Sequence, residues 1–221
     1  MTASRPEVLV RSKKTALVAL VLAAGLLASC SAPVDDADAQ RAAFLGGAPV
    51  PVSEATIAPA PEAYHAVAVP AGYRVIAVGV ASDPAGDVIA GAVEQWARAN
   101  GAVFDLRIGA DAEGIDEQLV TAANERPDLI VGLGAGVVDV FALTTSQLLD
   151  QQFLVVGAKL AEPTENVTSV VWPGAGFRGT GITPEADADP SAVTTPMASE
   201  AISAGFASIR LGVTGVVVSL P

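Results

Sequence analysis

From residue 74 onward the apolar positions switch repeatedly between two kinds of run. RVIAVGVA (Arg74–Ala81) is a continuous apolar stretch of strand length. DVIAGAVEQWARANG follows, with Val88, Ile89, Ala92, Val93, Trp96 and Ala97 on one helical face. VFDLRIG (Val103–Gly109) predicts a second strand, and GIDEQLVTAANERP a second helix stopped at Pro127. DLIVGLG (Asp128–Gly134) predicts a third strand, apolar enough to be buried on both faces. Val137 to Leu149 predicts a third helix, FLVVGA (Phe153–Ala158) a fourth strand and VTSVVW (Val167–Trp172) a fifth. The pattern lapses through PGAGFRGTGITPEADADP, resumes near Ser191 as a helix with Ile202, Phe206, Ile209 and Val213 in its stripe, and closes on GVVVSLP, a last strand. Strands alternating with helices predict an α/β fold: a doubly wound, mainly parallel sheet of about five to six strands, in one domain over residues 73–221.

The amino-terminal third has a different pattern. Arg5, Arg11, Lys13 and Lys14 precede a dozen apolar residues, Thr15 to Leu26. As a helix that run reaches about 18 Å, short of the roughly 30 Å hydrocarbon core of a bilayer. A basic start, a short apolar run and small residues after it read as a secretory signal peptide over residues 1–29. The run ends in Leu27-Ala28-Ser29-Cys30, which resembles the lipobox of bacterial lipoproteins, and Cys30 is the only cysteine of the chain. That resemblance implies cleavage before Cys30 and lipidation of its thiol with a diacylglyceryl group carrying palmitate-type chains. Two acyl chains anchor stably where one does not. Residues 30–72, with Pro33, Pro49, Pro51, Pro59, Pro61 and Pro70, read as a Pro/Ala-rich tether, helical around Ala37–Leu45, whose Tyr64 and Tyr73 dock its end on the domain. His65, the only histidine, reads as a spacer residue.

Composition narrows the function. The 221 residues are 51% hydrophobic, yet carry 24 acidic against 12 basic side chains, for a net charge of −12. Residues 1–29 hold a net +3, so the exported body stands at −15. Such a body lacks the clustered Lys and Arg that nucleic acid requires. One cysteine and one histidine leave no Cys- or His-based metal site, and no GxSxG, HExxH, CxxC or P-loop occurs, so no catalytic residue, cofactor or metal is assigned and the chain is not read as an enzyme.

In an open α/β sheet, ligands sit beyond the carboxyl ends of the strands. That rule selects Ser82, Asp83 and Asp87 after the first strand, Gly134 and Gly136 after the third, Lys159 after the fourth, and Trp172, Phe177 and Arg178 after the fifth. Asp83 is either a ligand contact or a helix cap; Asp87 reads as the cap. GLGAG reads as a tight strand-to-helix turn and not as a phosphate loop, because it is neither GxGxxG nor on the first strand. Glu185, Asp187 and Asp189 read as a solvated acidic loop. Trp96 falls on the buried helix face.

Three segments carry a family resemblance. VGVASDPAGDVIAGAVEQWARANG, PDLIVGLGAGVVDVF (Pro127–Phe141) and ENVTSVVWPGAGFRGTG (Glu165–Gly181) resemble the first lobe of the basic membrane protein (BMP, PnrA-like) solute-binding lipoproteins. The resemblance spans about half the chain. It implies a type I periplasmic-binding lobe, an extracytoplasmic lipid-anchored location, a purine nucleoside or other small polar solute as ligand, and an ABC transporter permease as partner. It places Asp83 where the family has a ribose-binding acid, and Phe177 near the family's aromatic position. Asp83, Gly134, Lys159, Trp172, Phe177 and Arg178 are thus the expected ligand-binding residues. The aromatic that follows the acid in nucleoside binders is replaced by Pro84, Ala85 and Gly86. The length from Arg74 onward corresponds to a single lobe, so either a homodimer or a single-lobe interaction or sensory module without a small-molecule site is the alternative organisation.

Lipidation at Cys30 predicts that the wild-type chain enters the detergent phase on cloud-point partitioning. Cys30→Ala should move it to the aqueous phase, and a variant that still partitions with detergent contradicts the anchor.

Overall fold

The computed structural model describes Met1, residues 36–177 and residues 189–221. The chain divides into Met1–Val34 and Asp35–Pro221, and every element below belongs to the second unit. Its order is α1 (Asp36–Phe44), β1 (Thr56–Ile57), α2 (Pro61–His65), β2 (Arg74–Val80), α3 (Pro84–Ala99), β3 (Val103–Gly109), α4 (Ala112–Asn124), β4 (Leu129–Leu133), α5 (Val138–Thr144), β5 (Phe153–Val156), β6 (Ala158–Lys159), β7 (Val167–Val171), β8 (Gly176–Phe177), α6 (Thr195–Arg210) and β9 (Val217–Ser219).

The fold is α/β, as expected. Seven strands form one sheet in the order β1-β9-β7-β5-β4-β2-β3, and every pairing is parallel. Six of these are the strands that the apolar runs predict; β1 is the seventh. A parallel strand buried on both faces alternates its side chains between two cores. On one face Val75, Ala77, Leu129, Val131, Leu154 and Val170 meet Ile89, Val93 and Trp96 of α3 and Ile202 and Phe206 of α6. On the other, Ile76, Val78, Ile130, Phe153 and Val155 meet Ile115 and Leu119 of α4 and Val138 and Phe141 of α5. Each such fully buried side chain contributes about 1.5–3 kcal/mol relative to exposure. Trp96 is core, with its ring centroid 5.0 Å from that of Phe206; Phe206 in turn meets Tyr73 edge-on at 5.3 Å. Gly205 lets α6 settle closely onto the sheet: a Cβ there would stand 2.4 Å from Leu154 Cδ1.

Helix bounds shift where capping differs from the apolar stripe. α3 begins at Pro84 and not at Asp87, because Asp83 supplies the cap and proline suits the first helical turn. The third predicted helix is shorter than Val137–Leu149: α5 ends at Thr144 between two single 3₁₀ turns, Ala135–Val137 and Thr145–Gln147. The resumed helix starts at Thr195, capped by the Thr194 side chain.

The segment expected as a tether departs most from the sequence reading. Its described part, from residue 36 onward, lies on the domain. Phe44 and Tyr64 are buried in the first core. β1 extends the sheet beyond β9, with Glu54 N–H donating to Gly215 O at 2.6 Å. α2 is tied to α6, where the Tyr64 hydroxyl donates to Glu200 Oε2 at 2.7 Å and His65 Nε2 lies 3.0 Å from the same oxygen. The helix expected around Ala37–Leu45 is α1, and Tyr64 and Tyr73 dock as expected; what differs from a tether is that the intervening stretch also packs on the domain. His65 is therefore a contact residue of the domain surface. Among the described residues no helix is long and apolar enough to cross a membrane.

Tyr73, 6% exposed, donates from its hydroxyl to Asp128 O at 3.5 Å. Burial first, and the Asp128 charge second, push its phenol up to about 12 from 10.0. Burial and the hydrogen bond to Glu200 push the Tyr64 phenol up as well. A raised folded-state value means the native protein keeps its proton longer than the unfolded chain. This stability is fully present below pH 10 and is lost as pH rises through about 12. Urea unfolding followed from pH 8 to 12 should show the loss, on the order of 2 kcal/mol for Tyr73. Tyr73→Phe should flatten that slope, and an unchanged slope contradicts the assignment.

Candidate functional site

The strand order places a topological switch between β2 and β4. The chain leaves β2 for β3 on one side, then crosses to β4 on the other. In open α/β sheets ligands bind beyond the carboxyl ends of the strands at such a point. Ser82, at φ 63, turns the chain out of β2 in a left-handed conformation uncommon for a residue with a side chain. Asp83 follows as N-cap of α3, half-buried, with Oδ1 accepting from Ala85 N–H at 3.1 Å. Its negative charge suits the positive end of the helix dipole. Asp87 lies in the first turn, where its N–H donates to Asp83 O; it is not the cap expected of it, since the chain enters the helix earlier.

Asp83 Oδ2 faces the glycine loop after β4. It lies 3.4 Å from where a Cβ of Gly134 would stand and 3.5 Å from that of Gly136. Gly134 takes φ 74, and Gly157, at the end of β5, takes φ 84. A Cβ on Gly157 would stand 2.9 Å from Ile89 Cδ1, 3.2 Å from Trp172 Cη2 and 3.8 Å from Gly134 Cα. The Asp83 carboxylate thus meets the loop after β4, while the ends of β4, β5 and β7 close on one another at Gly157. The backbone donors of the floor are engaged: Gly134 N–H binds Val156 O and Gly157 N–H binds Val170 O, each at 2.9 Å. GLGAG is accordingly a turn. The notch offers an acceptor in Asp83 and no phosphate cradle at Gly134 or Gly157.

The other expected site residues divide. Lys159, half-buried on β6, pairs in register with Phe177 on β8. This two-stranded parallel sheet continues the β5/β7 pair past Gly157 on one side and the Pro173–Gly174 turn on the other, so backbone geometry brings these two candidates together. Trp172 is 4% exposed, and its indole N–H donates to Ala192 O at 3.0 Å. It fastens the 189–192 segment to the sheet. Asp189 accepts from the hydroxyl and N–H of Ser191, which hold its carboxyl below the usual value. Arg178, Cys30, Glu185 and Asp187 lie outside the described residues. Gly157 was missed by the sequence reading, because it sits inside an unbroken apolar run; a glycine closing a strand, as Gly134 does, is the signal that would have found it. Elsewhere, a cleft of about 490 Å³ lined by Arg126, Pro127, Gln147 and Gln151 opens at the amino ends of β4 and β5 and contains none of the expected residues.

No protein-family model matches the chain, and no curated protein matches it. Solved structures with a similar arrangement include ABC transporter system solute-binding proteins from Aeropyrum pernix K1, 18% identical over 48% of this chain and 29% of that one, with a TM-score of 0.42. A provisionally named lipoprotein from Peptoclostridium difficile 630, a fragment, is 12% identical over 62% of this chain and 98% of that one, with a TM-score of 0.45. A periplasmic ribose ABC transporter structure from Conexibacter woesei DSM 14684 is 12% identical over 69% of this chain and 55% of that one, with a TM-score of 0.41. The chain therefore spans less than a third of the Aeropyrum protein and nearly all of the Peptoclostridium fragment.

Because Asp83 caps α3 through one oxygen only, two substitutions separate its roles. Asp83→Ala should lower the unfolding free energy by about 1 kcal/mol in a urea titration, while Asp83→Ser, which retains a capping oxygen, should stay within a few tenths. Equal losses in both variants contradict the cap.

Proposed function

We propose that the chain is an extracytoplasmic lipoprotein, anchored through Cys30 after removal of residues 1–29, whose α/β domain is a BMP-like solute-binding lobe for a small, hydroxyl-bearing solute such as a nucleoside, serving an ABC transporter permease. The observation that carries the ligand class is Asp83 Oδ2 turned toward Gly134 and Gly136 at the switch point. An acceptor set among engaged backbone donors favours a ligand that donates hydrogen bonds, as sugar hydroxyls do, and repels phosphate. The glycines let neighbouring strand ends close on this backbone: a Cβ at Gly136 would stand 2.5 Å from Val80 Cγ1. Lys159 and Phe177, together on the β6/β8 extension, are proposed to line its far side, with Arg178 next in the chain. No step of catalysis is assigned.

The burial of Trp172, and the engagement of its N–H by Ala192, favour a second reading: the same lobe as an interaction or sensory module without a small-molecule site.

A thermal-shift series on the full-length chain tests both. At a hundredfold excess over Kd, a bound nucleoside or free sugar should raise Tm by about 5 °C or more. Asp83→Ser should abolish the shift while the apo Tm stays near wild type. A nucleoside monophosphate should give no shift. Absence of a shift with guanosine, inosine, ribose and other sugars eliminates the solute reading and leaves the interaction module.

A further inference from the structure

We infer that the domain self-associates through the outer edge of β3, two copies pairing antiparallel about a two-fold axis through Leu106. Among the described residues no strand lies beyond β3, so this edge of the sheet is open. An open edge is a template for another strand, and proteins that avoid such pairing use short strands, proline or charge. The opposite edge does so: β1 has 2 residues, between Pro51 and Pro59. β3 has 7 residues and exposes apolar ones, with Val103 at 56%, Leu106 at 43% and Ile108 at 43%.

The backbone sets which groups are available. Val103 N–H donates to Tyr73 O, and Gly109 O accepts from Ala81 N–H, so the odd-numbered residues of β3 bond inward to β2. Phe104, Leu106 and Ile108 therefore aim their N–H and C=O outward. In a two-fold antiparallel arrangement centred on Leu106, that residue exchanges both bonds with Leu106 of the second copy. Phe104 does the same with Ile108 of the second copy. All the outward groups of these residues are satisfied.

The side chains are self-complementary in the same register. On the α3 face, Phe104, Leu106 and Ile108 meet their counterparts as a continuous apolar strip. On the α4 face, Asp105 stands opposite Arg107 of the second copy, and Arg107 opposite its Asp105. Within one copy Arg107 Nη2 already lies 2.9 Å from Asp105 Oδ2 and 2.7 Å from Glu125 Oε1, while Arg74 Nη2 is 3.6 Å from Glu125 Oε2. The patch sets Arg74 and Arg107 against Asp105, Glu125 and Asp128, whose carboxylate accepts from Arg74 N–H, and so stands at about −1 on a chain whose net charge of −12 opposes association elsewhere. A shift by one residue sets apolar side chains opposite charged ones, so the pattern selects one register. That complementarity to itself, and not to a generic strand, identifies the occupant as a second copy of this chain.

Sedimentation velocity of the full-length chain in detergent, over a hundredfold concentration range, should show a dimer. Asp105→Arg changes a side chain that is 55% exposed and should weaken the dimer at least tenfold, by opposing two arginines across the axis. Arg107→Asp should do likewise, and mixing the two variants should restore a heterodimer, because each then meets the opposite charge. Arg107 is 13% exposed, so circular dichroism checks that its variant folds. An independent readout needs no charge change: in a Cys30→Ala background, Leu106→Cys should form an intermolecular disulfide under mild oxidation and Ile108→Cys should not. A monomer at every concentration, no rescue on mixing two folded variants, or equal cross-linking at both positions overturns the proposal.

Discussion

The structure depends on one constraint: strands that are apolar on both faces must be covered on both faces. β4 and β5 have every residue buried, and β2 all but its two ends. Parallel pairing allows this, because each crossover must pass over a face of the sheet and can deposit a helix there. The two cores follow from the alternation along each strand. Val75, Ala77 and Val131 look toward α3 and α6, while Ile76, Val78 and Ile130 look toward α4 and α5. The high apolar content belongs to this double burial, alongside the short leader run.

The same constraint makes the candidate site. With both faces closed, the carboxyl edge, where loops must turn from strand to helix, is where the candidate residues gather. Reversal of direction between β3 and β4 opens that edge beside β2, and glycines at φ 74 and 84 make the turns tight enough to bring strand ends together. Asp83 has two roles because its two oxygens face different ways. One accepts from Ala85 N–H at the start of α3; the other faces Gly134 and Gly136. The N–H groups of Gly134 and Gly157 are both engaged by neighbouring strands and are not available as anion donors.

The edges of the sheet are treated unequally. On one side the chain folds back Thr56–Ile57 as β1 and fastens α2 to Glu200, so the sheet ends under proline and a short strand. On the other, β3 ends the sheet with its backbone groups outward. Helices cannot cover that edge without leaving a face exposed, since α3 and α4 are both held by apolar side chains of the inner strands. A second copy covers it without disturbing either layer.

The six main strands, the helices that connect them and the burial of Trp96 were legible in the sequence, because periods of 2 and 3.6 and runs of β-branched residues reflect local geometry and one-sided or two-sided burial. Asp83 was legible as a cap or contact, since both uses draw on the same carboxylate at the same helix start. Which oxygen does which is decided by the β4 loop, more than forty residues later in the chain. Other features were equally closed to a local reading. Beyond its helix and the docking of Tyr64 and Tyr73, the Pro/Ala-rich stretch read as a tether because its partners, Gly215, Leu211 and Glu200, lie in the last quarter of the chain. Trp172 looked available to a ligand, but it is buried with its N–H held by Ala192. Gly157 looked like mid-strand until Trp172 and Ile89 closed around it. Local propensity determined the elements of this protein and their buried faces; tertiary structure alone decided their neighbours, because hydrogen-bond engagement and close approach depend on residues brought together only by the crossovers.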